Sequence, residues 1–362
     1  MIRICIPTFN RWDRLQVQLA QLLSAQRLGG RFSVDLFDNA STDGTPEQFR
    51  LLGLPAEFVL HVHDRNVGFE GNVRRILQHI GQQGGADDHL WILSDDDFIF
   101  PAALVQLTRW LETQTPALPV LLSFLMFDGG SLRRRPPALY PAGLQSAADL
   151  FNIVNQTTLI SCWLYPARFL RPSALSAFDP WLGNSFLQMV LLAVVLRQAS
   201  AFAIFERPLG FEFVNLQIRF RLKETFAVDR PKALAEAVHL LGGDPALIDA
   251  AMSGIAVNFA RRALVWECSG DRQSAAQAMD AMPELARHGW LPRQARAYLF
   301  LRRCFLLLKR CGVAGPLLRR GAAVEQRARL TQDLLKGLLS EGGARHCDLP
   351  PASVGPTLNH HD

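Results

Sequence analysis

Apolar residues recur along the first hundred positions in two alternating rhythms. Short continuous runs at 2–6, 33–37, 57–63 and 90–93 predict four strands, the first buried on both faces because it is mostly apolar. Between them Leu15, Leu19, Leu22 and Leu23, then Val73, Ile76, Leu77 and Ile80, fall at helical spacing. After the fourth run Pro101 opens a further stripe carrying Leu104, Leu107 and Leu111. Thr45, Pro46 and Gln48 read as a helix start, with Thr45 as N-cap, proline in the first turn and glutamine closing a capping box. This alternation predicts an α/β fold, a doubly wound and mostly parallel sheet with right-handed crossovers.

The later pattern is more broken. A strand is expected over 120–127, a mobile Gly/Pro-rich loop over 128–143, a helix over 147–155 and a β-prone stretch over 158–165. A nearly all-apolar helix over 186–196 and a last strand over 201–206 follow. From about Thr225 the strand-like runs stop. Helical patterns cover 231–241, 244–268, 271–280, 292–311 and 322–340. The expected division is thus an α/β domain over 1–224, an all-α basic region over 225–341 and a disordered tail over 342–362.

Composition narrows the class. The chain has 362 residues, 49% hydrophobic and 20% charged, which suits a globular protein rather than a disordered or membrane-spanning one. Six cysteines lack C-x-x-C spacing, so neither a zinc site nor a disulfide framework is signalled, and reduced thiols in the cytoplasm are expected. The first residues do not read as a signal peptide. The net charge of +5 is carried largely after residue 250. Over 293–320 arginines interleave with Tyr298, Leu299, Phe300, Phe305 and Leu306, a pattern that suits either an anionic membrane surface or a packed helix with a solvated basic face. No motif points to nucleic acid.

The chemistry concentrates where the fourth strand ends. Asp95, Asp96 and Asp97 follow it directly, at the edge of an open α/β sheet where ligands bind. Adjacent anions repel one another unless a cation or donors share them. A divalent-metal site for a phosphorylated ligand is the sharper reading, and a solvated acidic loop is the blander one. His61 and His63 share a strand face without an evident third ligand and read as ordinary strand histidines. Arg133, Arg134 and Arg135 read as part of a solvated loop rather than a contact for an anionic acceptor.

Four segments at predicted strand ends now form a set: Pro7-Thr8-Phe9-Asn10-Arg11, Asp38-Asn39-Ala40-Ser41-Thr42-Asp43-Gly44, Arg65-Asn66-Val67-Gly68 with Gly71-Asn72, and Ser94-Asp95-Asp96-Asp97. In this order they resemble the family 2 glycosyltransferases of the GT-A fold. The triple aspartate preceded by Trp91-Ile92-Leu93-Ser94 is most similar to the abequosyltransferase-like branch of bacterial surface-polysaccharide enzymes. The resemblance is good over the first third, thin to about residue 215 and absent beyond.

The resemblance implies a metal-dependent, inverting hexosyltransferase at the inner face of the cell membrane. It would move a sugar from a nucleotide-sugar to a glycan or lipid-linked acceptor of O-antigen, capsule or lipopolysaccharide. Residues 1–115 would bind the donor and 116–224 the acceptor. Asp38 would accept a hydrogen bond from a pyrimidine ring, without separating UDP, CDP and dTDP. Pro7, Thr8, Asn10, Arg11, Asn39, Arg65, Asn72 and Asp95 would complete the nucleotide-sugar site, and Asp96 and Asp97 would hold Mn²⁺ or Mg²⁺. Taken singly, several have structural alternatives: Asn10 as a cap for the first helix, Asn72 as N-cap of its own helix, Asp43 as a brace of its turn.

One expected part is missing. Inverting members carry a Glu-Asp pair in the acceptor half, and 178–196 contains none. Gln188 cannot act as a base at neutral pH, which leaves Asp179 and Asp128 as candidates. A catalytically degenerate GT-A scaffold, or a membrane- or partner-binding module, is the alternative. A nucleotidyltransferase is disfavoured because 7–11 has no glycine, and a dehydrogenase because no G-x-G-x-x-G follows the first strand.

Overall fold

The computed structural model describes residues 1–113, 118–128, 131–135, 146–171, 180–181, 183–199, 201–213 and 223–310. Strands β1 (Ile2–Thr8), β2 (Phe32–Asp38), β3 (Phe58–Val62) and β4 (His89–Ile92) run parallel, with β1 central between β2 and β4. The first three connections are helical: α1 (Trp12–Arg27), α2 (Thr45–Leu51) and α3 (Gly68–Gln83). Leu15, Leu19 and Leu22 of α1, and Val73, Ile76, Leu77 and Ile80 of α3, are buried as their spacing predicts. With helices on both faces the central strands bury nearly every side chain, which is why β1 shows no polar alternation.

The rest of the sheet is mixed. It includes β5 (Phe98–Ile99), β6 (Val120–Asp128), β7 (Ser131–Arg135), β8 (Trp163–Pro166) and β9 (Ala203–Phe213). The order is β3-β2-β1-β4-β8-β6-β9-β5, with β7 paired to β6. β8 enters antiparallel between β4 and β6. α4 (Pro101–Glu112) starts on its proline, α5 (Ala147–Gln156) is capped by Ser146, and α6 (Leu187–Ala199) is buried around most of its circumference.

Several expectations are corrected. The segment 128–143 is not wholly a loop: β6 and β7 form a hairpin with Asp128 opposite Ser131. Among the described residues β7 pairs with β6 alone, and a sequence rich in arginine suits a sheet edge. Residues 136–143 lie outside the described residues. The last strand runs past Glu206 to Phe213, accommodating Pro208 through register irregularities. It also needs Gly210, where a Cβ would stand 1.8 Å from the Phe98 carbonyl oxygen. Thr45 is not the N-cap of α2. Gly44 takes that place at φ 84°, and the Thr45 hydroxyl and N–H both donate to Asp43 Oδ1 (2.6 and 3.1 Å), so no capping box forms.

Beyond the sheet a π-helical turn over Lys223–Asp229 leads into α7 (Arg230–Leu241), α8 (Ala246–Ser269), α9 (Arg272–Arg287) and α10 (Arg293–Arg310). Helix α9 continues past residue 280, through Pro283, because Ala281, Met282 and Leu285 bury their side chains in the bundle. The predicted helix 322–340 and tail 342–362 lie outside the described residues. One hydrophobic cluster runs from β1 to Leu285 and Ala295, with Phe186, Phe226 and Phe259 meeting edge to face at the junction. Among the described residues no helix is long and apolar enough to cross a membrane.

Candidate active site

The parallel register sets Thr8 beside Asp38, and β4 ends on the other side of β1. The loops leaving β1, β2 and β4 therefore gather at one sheet edge. The first two are clasped together. Asn10 Oδ1 accepts from Thr42 N (2.7 Å), Asn10 N donates to Ser41 Oγ (2.9 Å) and Trp12 N donates to Asp43 Oδ2 (3.0 Å). Asn10 and Ala40 have φ of 53° and 61°, the left-handed region that costs an alanine about 1–2 kcal/mol. Asn10 caps no helix; its side chain ties loop to loop. Burial alone would raise the Asp43 carboxyl, but the Thr45 hydroxyl and the N–H groups of Trp12 and Thr45 hold it below the ordinary range.

The acidic turn after β4 is buried and densely bonded. Asp95 and Asp97 are 3% and 4% exposed. Thr8 Oγ1 donates to Asp95 Oδ2 (2.8 Å), and Arg11 Nη1 donates to Asp95 Oδ1 (2.7 Å) while lying 3.4 Å from Asp96 Oδ2. Arg14 Nη1 reaches the same Asp96 oxygen at 3.3 Å, and Ser94 Oγ donates to Asp96 Oδ1 (2.6 Å). Burial pushes the Asp95 carboxyl up; Arg11 opposes that and Asp96 adds to it. Burial works against the Arg11 charge, yet Asp95 and Asp96 outweigh it and raise its pKa.

Helix α1 fixes the backbone of this turn. Gln18 Nε2 donates to the carbonyls of Ser94 (2.6 Å) and Asp97 (3.0 Å), and Gln21 Oε1 accepts from Ile99 N (2.8 Å). Ser161 Oγ accepts from Ser94 N (3.0 Å) on the other side. Sequence reasoning missed Gln18, Gln21, Ser161 and Arg14. A signal existed for Gln18 alone: it interrupts the apolar stripe of α1 and is 2% exposed.

Asp38 is fully buried. Its Oδ2 accepts from Ser41 N (2.9 Å), while its Oδ1 accepts no hydrogen bond among the described residues. Neighbouring candidates are committed within the fold. Asn39 donates to Asn66 Oδ1 and the Gly68 carbonyl and accepts from Val67 N, holding the β3–α3 loop. Asn72 donates to the Phe37 carbonyl and pairs with His63 Nε2. It is not an N-cap, since α3 begins four residues earlier at Gly68. Pro7 is buried in β1 and Arg65 is exposed in the loop before α3. Thus Thr8, Arg11, Asp95 and Asp96 meet directly, Asp38 ends β2 beside Thr8, Asn10 stands on the loop after β1, and Asn39 and Asn72 support them from within. Asp179 lies outside the described residues, and Asp128 ends β6. Gln188 donates to the Thr158 carbonyl (2.9 Å).

A second polar cluster lies under α3. His61 Nε2 is 2.8 Å and His79 Nε2 3.5 Å from Asp35 Oδ1, and one ligand-type atom of each residue lies within 4.8 Å of the others. His79, on helix α3, joins His61 and Asp35 here, while His63, which the sequence paired with His61, lies outside the trio and meets Asn72 Oδ1 and Arg75 Nη1 instead. In ligand type the trio suits a metal. The Arg3 guanidinium already lies 3.2 Å from both Asp35 Oδ2 and His79 Nε2, so the carboxylate's charge is met. Burial would raise Asp35, but the His61 hydrogen bond and Arg3 keep it below the ordinary carboxylate range; burial chiefly lowers His79.

Residues 3–170 match the family described as Glycosyl transferase family 2. Over 114 residues the chain is 30% identical to abequosyltransferase RfbV of Salmonella typhimurium strain LT2, a match covering 32% of this chain and 33% of that protein. The chain thus spans only a third of the length of that curated relative. S. aureus TarS 1–349 is similar in structure with a TM-score of 0.50 at 14% identity, over 90% of this chain and 91% of that one. The same TarS fragment in complex with UDP gives 0.51 at 14% identity, over 99% and 97%. These structural likenesses show a shared GT-A fold.

Proposed function

We propose that the chain, whose residues 3–170 match Glycosyl transferase family 2, transfers a hexose from a pyrimidine nucleotide-sugar, with Mn²⁺ or Mg²⁺, to a glycan or lipid-linked acceptor of bacterial surface polysaccharide. The observation that carries this reading is the convergence of Thr8, Arg11, Arg14, Asp95 and Asp96 at the strand ends. Hard carboxylate oxygens beside cationic side chains fit both a divalent cation and a diphosphate. Asp96, whose side chain is the more exposed of the two arginine-bonded carboxylates, would hold the metal, with Asp97 and Asp95 in support. When bound, the metal supplies Lewis-acid stabilisation to the departing diphosphate.

The chain's own residues would do the rest. Asp38 Oδ1 would take the ring N–H of uracil or thymine, or the exocyclic amino N–H of cytosine, and Arg65 would offer a cationic fork to base edge or phosphate. Asp179 or Asp128 would serve as base in an inverting transfer. The exposed Phe300, Leu301 and Leu307 of α10, beside Arg303 and Arg310, would rest on an anionic membrane surface where a lipid-linked acceptor is presented. TarS has been crystallised with UDP and with UDP-GlcNAc, which places uridine nucleotides first among the donors to try.

The test is release of nucleoside diphosphate from UDP-, CDP-, dTDP- and GDP-hexoses, with water as the acceptor. One pyrimidine class should be cleaved, only with metal, and Asp96→Asn should not cleave it. Cleavage of none by the parent protein would leave a degenerate scaffold as the better reading.

A further inference from the structure

We propose that Arg11 and Arg14 are built-in counter-cations, which occupy Asp95 and Asp96 in the free protein and are handed over to the donor diphosphate when the metal arrives. Metal and nucleotide then bind with strong positive coupling. This inference rests on the glycosyltransferase reading above.

The geometry points to a place shared between cations. Arg11 Nη1 bridges the two carboxylates, 2.7 Å from Asp95 Oδ1 and 3.4 Å from Asp96 Oδ2, and Arg14 Nη1 meets the latter oxygen at 3.3 Å. A divalent cation held by Asp96 would compete with both guanidinium groups for that oxygen. Charge decides the consequence. Three carboxylates and two guanidiniums leave this corner with about one net negative charge. A metal ion alone would make it positive beside two arginines, and would break charge-assisted hydrogen bonds in doing so. A nucleoside diphosphate alone would meet a corner that is already negative. Arriving together, metal and diphosphate offset most of each other's charge, and the displaced guanidiniums gain phosphate oxygens that match their fork.

The surroundings permit the exchange. The arginine side chains are 35% and 36% exposed, against 4% for Asp95. They stand at the solvent side on flexible stems at the start of α1. When they leave, Asp95 keeps the Thr8 hydroxyl and Asp96 keeps the Ser94 hydroxyl, so the carboxylates stay oriented. Linkage makes the coupling reciprocal: whatever factor nucleotide adds to metal affinity, metal adds to nucleotide affinity.

The experiment measures free Mn²⁺ by electron paramagnetic resonance during titration, without and with saturating UDP, in the parent chain, Arg14→Met, Arg11→Met and Arg14→Lys. In the parent, UDP should tighten Mn²⁺ binding by at least ~10-fold, within the usual range of coupling. Each methionine variant should bind Mn²⁺ alone several-fold more tightly than the parent and gain less from UDP. Arg14→Lys, which keeps the charge, should stay close to the parent. Methionine variants that bind Mn²⁺ alone no more tightly than the parent, or not at all at millimolar metal, would overturn the counter-cation role. Failure of UDP and of CDP, dTDP and GDP to bind the parent under any condition would instead count against the donor site, while the Mn²⁺-alone comparison still decides the inference.

Discussion

At the scale of single residues, Asp38 makes the sharpest demand. It is fully buried, and one of its two oxygens has a donor, Ser41 N, while the other has none among the described residues. A buried carboxyl oxygen left without a donor is costly, which points to a ligand that supplies one. Asparagine could not replace it, since with its oxygen toward Ser41 N its NH2 would take the place of Oδ1 and face the ring N–H donor to donor. Asp38→Asn is therefore expected to fold with little loss and to bind nucleotide ~10- to 100-fold more weakly, as a hydrogen bond to a charged group is worth about 1.5–3 kcal/mol. Calorimetric titration with the preferred nucleotide reads this out. Undiminished affinity would remove Asp38 from base recognition. The carboxylates and Arg11 were legible in the sequence because few structural roles demand charge at a strand end. Asn10, Asn39 and Asn72 were harder to read, because an amide satisfies backbone groups as readily as a ligand, and here all three do so.

At the scale of elements, α1 both covers the sheet and braces the acidic turn. Gln18 reaches from its buried face to two carbonyls of that turn, at Ser94 and Asp97. Gln18→Leu keeps the size and apolar packing but leaves those carbonyls without this donor. A loss of about 1–3 kcal/mol is expected, together with weaker metal-dependent nucleotide binding. Denaturant unfolding and titration of the same variant check both parts. Stability within about 0.5 kcal/mol of the parent, the range of an ordinary surface change, would show that α1 does not hold the turn. Elements with one strong period were legible: the parallel strands and α1, α3 and α4. The mixed half was not, because strand pairing there is decided by distant partners. Among the described residues β7 pairs with β6 as the second arm of a hairpin, β8 lies between β4 and β6, and β9 passes Pro208 through an irregular register. Helix α9 likewise passes Pro283 because burial on both sides of it outweighs the lost backbone bond.

At the scale of the molecule, one core joins sheet and helical bundle, and every candidate donor-site loop leaves the same sheet edge. The change of composition near residue 225 was legible as a change of architecture. The continuity of the core across it was not, since contacts such as Phe186–Phe226–Phe259 join residues far apart in sequence. The basic excess also sorts only in three dimensions. Arg302 turns inward to Glu267 (2.8 Å) with Lys309 nearby (3.9 Å), pinning α10 to α8, while Phe300, Leu301 and Leu307 face outward. The central claim is that this assembly binds a nucleotide diphosphate through metal held at Asp96. Its most direct test is the thermal unfolding of the whole chain with UDP, CDP, dTDP or GDP, each with and without Mn²⁺, in the parent and in Asp96→Asn. One pyrimidine diphosphate should stabilise the parent only with metal, by about 2.7 kcal/mol at a hundred times its Kd, and should leave Asp96→Asn unmoved. No stabilisation by any of them at millimolar concentration, or equal stabilisation of Asp96→Asn, would contradict the account.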